Sequence, residues 1–226
     1  MSLSISNNNI QYRYSKEGWE YMYKKENIFY FVWVAIFFIV LLWSSINPYD
    51  RLTWFLEAGP AMAGFFAIAI TFPYFKLTKL SYILILLHCI VLMVGSHYTY
   101  AEVPLFNWIQ EVFNSTRNDY DKFGHLFQGF APAIIARELL IRTSPLKQSK
   151  WLSFIVVCIC LAISAFYELA EWVFALMLGE SAEYFLSMQG YIWDTQADMA
   201  YALLGAVLAL VLLSRYHNKL LSKINR

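Results

Sequence analysis

Long apolar runs organise this chain, with no sustained alternation of apolar and polar positions. Residues 28–46 form a 19-residue stretch without a formal charge, and residues 80–98 form a second, interrupted only by His88 and His97. Residues 52–75 carry one carboxylate, Glu57, near their start. Residues 151–178 are longer and contain Glu168 and Glu171, and residues 195–214 contain Asp198 near their start. Residues 121–141 are a weaker run, polar at both ends. A helix that crosses a bilayer needs about 20 mostly apolar residues at ~1.5 Å each. The pattern therefore predicts an all-α integral membrane protein with a bundle of six transmembrane helices.

The basic residues orient that bundle. Numbering the compartments alternately from the N-terminus puts 14 of the 17 Lys and Arg residues on the first side. They fall in residues 13–25, 76–79, 137–150 and 215–226, whereas the opposite side holds Arg51, Arg117 and Lys122. Cytoplasmic loops carry the excess of basic residues, so both termini are expected in the cytoplasm, N-in and C-in. Residues 1–27 then form a cytoplasmic arm, 28–214 the membrane domain and 215–226 a basic cytoplasmic tail in which His217 is solvated. The first run exceeds the ~7–15 apolar residues of a cleavable signal and reads as a retained anchor. Trp19, Tyr21 and Tyr23 suggest a short interfacial segment ahead of it. Gly59, Ala63 and Ala67, and likewise Ala202 with Ala206 and Gly205 with Ala209, have the four-residue spacing that lets helix backbones approach. In residues 102–118, Leu105, Trp108, Ile109 and Val112 recur at helical spacing, predicting a short amphipathic helix on the outer surface.

Composition agrees. The 226 residues are 59% hydrophobic and 15% charged, against about 45–50% and about 25% in soluble domains. A mean hydropathy of +0.47 assigns lipid as solvent for much of the surface and argues against a nucleic-acid binder. Cys89, Cys158 and Cys160 all lie in apolar runs and read as buried, reduced thiols; two residues apart on a helix, Cys158 and Cys160 point to different faces.

With the topology set, depth becomes arithmetic. Glu168 lies about 25 Å and Glu171 about 30 Å along a helix that starts inside, so both approach the outer interface. Glu57, Asp121, His125, Asp194 and Asp198 open helices that start outside, and His97, Tyr98, Tyr100 and Glu102 follow the end of the third. Residues from five helices thus converge at one level. Asp121 with His125, Glu168 with Glu171 and Asp194 with Asp198 have i, i+3 or i, i+4 spacing, which places each pair on one helix face. Ionisable groups at membrane depth are costly unless paired or wetted, and are functional candidates by default. Asp121, Lys122, His125, Glu168 and Glu171 are candidate catalytic residues. His97, Tyr98, Tyr100, Glu102, Gln189 and Trp193 are candidate substrate contacts. Asp121, His125, Glu168, Asp194 and Asp198 suit one divalent metal ion. The structural alternatives are an ion pair of Lys122 with Asp121, a salt-bridged outer rim of Glu168 and Glu171 with Lys122 or Arg117, an N-cap role for Asp194, interfacial anchoring by Trp172 and Trp193 and a hydrogen-bonded core position for His88.

Four segments carry a family resemblance: GSHYTYAEVPLF (95–106), YDKFGHLFQGFAPAIIARELLIR (120–142), AISAFYELAEW (162–172) and QGYIWDTQADM (189–199). They closely resemble the YjdF-like family of bacterial inner-membrane proteins. The resemblance implies a multi-pass protein of the bacterial inner membrane and no particular reaction. Family members often have Gly-Asp after the glutamine of the last segment, where this chain has Gly190-Tyr191, so an essential carboxylate there is not expected. Asp121-Lys122 with His125, a later Glu and an Asp before a small-residue helix also resemble VanZ-like membrane proteins, which are associated with glycopeptide resistance.

Three functions fit the residues. One is a binding or assembly protein, slightly favoured, that docks a protein or lipid-linked partner through residues 102–118. The second is a metal-dependent hydrolase or transferase acting on a lipid-linked or cell-envelope substrate, with Lys122 on a phosphate and His125 as general base. The third is a proton-coupled transporter using Glu57, Glu168 and Glu171. The absence of a Gly-rich phosphate cradle, a Ser-His-Asp order and a Cys-x-x-Cys pair argues against an ATP-driven machine, a serine hydrolase and a zinc finger.

Overall fold

The computed structural model describes residues 16–178 and 189–224; Arg13 and Arg226 lie outside the described residues. Seven helices are described: α1 Lys16–Ser45, α2 Arg51–Thr71, α3 Lys79–His97, α4 Pro104–Phe113, α5 Tyr120–Thr143, α6 Lys150–Leu178 and α7 Asp194–Ile224. The chain divides into two compact units, residues 1–39 and 40–226. In the first, α1 is already helical at Lys16, so the stretch with Trp19, Tyr21 and Tyr23 is a continuation of the first span and no separate element. Within it Trp33 and Phe37, four residues apart, stack face to face with centroids 5.9 Å apart.

Among the described residues, five helical stretches are long and apolar enough to cross a membrane: Asn27–Ser45, Arg51–Thr71, Lys79–His97, Lys150–Met177 and Asp194–Ile224. The expected sixth, α5, falls outside this group because it carries Asp121, His125, Gln128, Arg137 and Glu138. Those polar residues are turned inward. α5 packs against α3, α6 and α7. Outward faces of the spans bear bare apolar side chains such as Phe66, Phe166 and Val211, an arrangement that lipid tolerates and water does not. Cys158 joins that exposed surface, contrary to the buried position expected for it, while Cys89 and Cys160 are buried.

The closest helix contact is between α5 and α7. A Cβ on Gly129 would lie 1.8 Å from the Ala202 carbonyl oxygen, and one on Gly205 2.0 Å from that of Leu126. Ala202, Ala206 and Ala209 are fully buried along the same seam, as the small-residue spacing predicts. On α2 the prediction fails. Ala63 and Ala67 are exposed and a Cβ on Gly59 would meet nothing within 4 Å. The buried stripe is instead Thr53, Trp54, Glu57, Ala58 and Ala61. A dry core of Leu84, Ala133, Ile134, Leu152, Val156 and Cys160 fills the space among α3, α5 and α6.

One end of the second unit is closed by a saturated polar clasp. Glu138 Oε1 accepts from the Thr78 backbone N–H (2.8 Å) and Arg142 (2.8 Å). Its Oε2 accepts from Thr78 Oγ1 (2.8 Å), Ser81 Oγ (2.6 Å) and His217 Nε2 (3.2 Å). Arg137 Nη1 lies 3.0 Å from His217 Nδ1. Arginine can only donate, so Nδ1 accepts and His217 is the neutral tautomer protonated on Nε2. His217 was expected in a solvated tail; it is fully buried, because α7 runs on to Ile224 and brings Leu221 inward as well.

Gly129→Ala and Gly205→Ala are each expected to destabilise the detergent-solubilised protein by about 1–3 kcal/mol, the usual cost of overpacking. Gly59→Ala and Gly64→Ala, where a Cβ meets nothing within 4 Å, should not. Thermal unfolding of the four variants checks this; equal midpoints would refute the α5–α7 contact.

Candidate functional site

The opposite end of the unit gathers the polar residues that open α2, α5 and α7 and close α6. Both α5 and α7 place acids in their first turns, Asp121 and Asp194, where the positive end of the helix dipole favours them. The α5–α7 register then sets Asp121 and His125 beside Asp198. One ligand atom from each of these three buried residues lies within 4.8 Å of the others. Asp198 Oδ1 is buried and has no hydrogen-bond partner.

His125 is oriented from behind. Its Nδ1 is 3.1 Å from Gln128 Oε1, a geometry that puts the ring proton on Nδ1 and leaves the Nε2 lone pair facing forward. Ahead of Nε2 stand two carboxylates, Asp121 Oδ1 at 3.7 Å and Glu168 Oε1 at 3.5 Å. These separations are long for hydrogen bonds and suit ligands arranged around a shared cation, whose bonds to N and O are about 2.0–2.2 Å. Glu168 Oε1 is itself buried without a hydrogen-bond partner.

A narrow cleft opens beside this group, lined by Glu57, Leu92, Tyr100, Asp121, His125, Gln128, Tyr167 and Glu171, with about 10 Å³ free for the centre of a water-sized sphere. That is room for one water or one ion. Tyr167 Oη donates to Glu57 Oε2 at 2.8 Å, and the Tyr167 ring meets the His125 ring edge-on at 6.0 Å. Tyr100 reaches the cleft because two glycines make way for it. A Cβ on Gly95 would come within 2.4 Å of its ring and one on Gly124 within 3.1 Å. Tyr100 holds a positive φ of 56°, and burial raises its phenol well above the ordinary range.

The rim is electrostatically organised. Arg117, almost fully buried, donates to Asp194 and sits 3.4 Å from Asp119 and 3.9 Å from Asp121. Asp194 is thus an ion-pair residue at the start of α7. Lys122 pairs with Asp119 (2.6 Å), not with its neighbour Asp121, and both cations face the Tyr191 ring. Gln189 bonds both ways to the Asn118 backbone, its Oε1 accepting from the N–H and its Nε2 donating to the C=O, each at 2.9 Å. The tie sits in a left-handed turn, with Gln189 at φ 48° and Gly190 at φ 78°.

Several expected site residues sit elsewhere. His97 Nδ1 lies 2.9 Å from the Ser44 carbonyl, and the ring packs on Trp43 beside Tyr98. Glu102 is exposed and lines a separate polar groove with Asn107 and Gln110, and Trp193 is 58% exposed. His88 Nδ1 is buried with no hydrogen-bond partner, unlike the bonded core residue expected. Gln128 and Tyr167 were not singled out from the sequence, and the salt-bridged rim expected of Arg117 or Lys122 with Glu168 and Glu171 is made instead by Arg117 with Asp194 and Asp119 and by Lys122 with Asp119. Gln128 stands three residues after His125 and Arg117 four before Asp121, spacings that were available as signals.

Arg117→Ala is expected to cost about 3–5 kcal/mol in unfolding free energy by leaving Asp194 buried without its cation. Adding Asp194→Asn should restore much of that loss, and a double-mutant cycle of detergent melts measures the coupling. Additive losses would mean the pair contributes nothing.

Residues 29–219 match the family described as "Predicted membrane protein (DUF2238)". The chain is also 46% identical over 179 residues, 79% of its own length and 86% of the relative's, to the protein named "Inner membrane protein YjdF" of Escherichia coli strain K12. No solved structure matches it. The motifs, the apolar helices and these similarities agree, and the chain belongs to the DUF2238 family of inner-membrane proteins to which YjdF is similar.

Proposed function

We propose that this protein is a six-span, N-in and C-in inner-membrane enzyme whose outward-facing Asp121, His125 and Asp198 bind one divalent metal ion. The observation that carries the reading is the convergence of three ligand atoms within 4.8 Å, with the Asp198 Oδ1 buried and unpartnered. The topology is supported by the 14 of 17 basic residues on one side and by α5, which runs parallel to α7 from the Asp121–Asp198 group to the Arg137–His217 contact.

A bound ion would polarise an oxygen of the substrate or lower the pKa of a bound water. His125, oriented by Gln128, would hold the ion, and Glu168, whose Oε1 lies 3.5 Å from His125 Nε2, would serve as the proton acceptor beside it. Arg117 offsets the charge of Asp194 and Asp121 at the rim. The reaction class is hydrolysis or group transfer, the chemistry that needs a Lewis acid and one proton acceptor and no redox cofactor. A docking role for the outer surface keeps support from α4, whose Leu105, Trp108 and Phe113 are exposed. It leaves the orphaned carboxylate oxygens without a purpose, so the metal reading ranks ahead.

Elemental analysis of protein purified in mild detergent without chelator is expected to find one ion per chain, lost in Asp121→Ala and Asp198→Ala. Millimolar Mn²⁺ or Zn²⁺ should raise the melting temperature of the wild type and not of the variants. A folded wild type that holds no ion and shows no shift with Mn²⁺, Zn²⁺ or Mg²⁺ would overturn the reading.

A further inference from the structure

The cleft beside the metal-ligating group has a wall that differs from the others. α2 packs along α3, and α6 along α5 and α7. Between the α2–α3 pair and α6 the tie at the cleft is a side-chain one, the hydrogen bond from Tyr167 to Glu57. Both partners belong to helices that qualify as membrane spans. On α6 the face shared by Tyr167 and Glu171 continues one turn either way to Ile163 and Phe174, which are 41% and 39% exposed. On α2 the turn below Glu57 buries Ala61 and exposes Pro60 beside it, and one turn further a Cβ on Gly64 would meet nothing within 4 Å. Polar groups therefore line the inside of this seam, while apolar side chains and open space flank it outside.

We infer that the substrate is a membrane lipid with a polar, phosphate-bearing head, which reaches the Asp121–His125–Asp198 group laterally between α2 and α6, with the Tyr167–Glu57 hydrogen bond as the latch. This rests on the metal reading of the same group. The dimensions require a latch. With about 10 Å³ free, the cleft admits an ion and not a headgroup until Tyr167 swings away. The chemistry of the lining limits how such a head is held. Glu57, Asp121 and Glu171 repel a bare anion, so a phosphate is held there only through a cation, which the ligand group supplies. The acyl chains stay in the bilayer along Ile163, Phe174 and the Pro60–Gly64 face. α4 completes the arrangement at the membrane surface. Its exposed Leu105, Trp108 and Val112 share one face, while Phe106, about 100° round the helix from Leu105, packs on Tyr120 at the head of α5. Such a helix lies in the plane of the lipid headgroups.

The test uses the full chain in bilayers of phosphatidylglycerol doped with an analogue that carries a photoreactive diazirine beside its phosphate. Labelled residues are mapped by peptide mass spectrometry, and metal content is measured on the same samples. The expected result is label on cleft residues Leu92 and Gln128, rising about three- to tenfold in Tyr167→Phe, the change that loss of one hydrogen bond produces in an opening equilibrium. Label should persist in the presence of excess glycerol phosphate. Label confined to outward residues such as Phe55 and Phe166, and unchanged in Tyr167→Phe, overturns the lateral route. Cleft label abolished by glycerol phosphate also overturns it, because the head then comes from the aqueous side. Metal present with an unlabelled cleft refutes this inference alone. A labelled cleft in protein that binds no metal refutes the enzyme reading and leaves the lipid route standing.

Discussion

The parallel contact between α5 and α7 is the constraint from which both polar ends of the second unit follow. With Gly129 against the Ala202 carbonyl and Gly205 against that of Leu126, the two backbones touch, and their register cannot slide without a clash. That register sets Asp121 and His125 beside Asp198 at one end. At the other it sets Arg137 and Glu138 beside His217. Two helices that run the same way cannot be joined by a short turn, so the chain between them must return through α6. α6 is therefore antiparallel to both, and this brings the late residue Glu168 to the early residue His125. One glycine pair thus determines which ionisable groups meet.

The two polar clusters solve the same problem in different ways. Burying a carboxylate is costly unless donors or a cation compensate it. Glu138 is met by five donors on its two oxygens, and nothing is left for a ligand to do there. At the other end Arg117 and Lys122 serve Asp119, Asp194 and, at longer range, Asp121. Glu57 has the Tyr167 hydroxyl. Glu168 Oε1 and Asp198 Oδ1 have no donor, although both residues are buried. The first cluster is saturated, whereas the second keeps two buried carboxylate oxygens without a donor, which is what supports the metal-site proposal.

Much of this was legible in the sequence, and the reasons for the rest are physical. Helix positions followed from apolar run length, and the meeting of Asp121, His125, Glu168 and Asp198 followed from counting 1.5 Å per residue along alternating helices. Pair spacing along one helix found Asp194 with Asp198, since α7 does begin at Asp194. Contacts between helices were invisible to that arithmetic. His217 looked like part of a basic tail because its neighbours are basic, yet α7 carries it back onto Glu138. The Gly59–Ala63–Ala67 stripe has the spacing of a packing face, but spacing does not say whether a partner helix is there, and α2 buries the Trp54–Ala58–Ala61 side instead. Tyr167 was hidden for a related reason. An aromatic residue in a span is ordinary, and only the opposing Glu57 makes its hydroxyl informative.

The material between the two clusters bears on which functions the fold can serve. A relay of protons or ions needs polar groups spaced through the bundle, and transport paths are marked by them. Between His125 and Glu138, α5 turns Ala131, Ala133 and Ile134 inward, where they pack with Leu84, Val156, Cys160, Ala206 and Ala209 in a dry core. On the far side of that core the Glu138 clasp has no spare acceptor. The apolar layer that includes Ala206 and Ala209 begins about two helix turns along α7 from Asp198. That apolar layer supports chemistry confined to the Asp121–Asp198 end, the reading we propose, more than it supports a proton-coupled transporter.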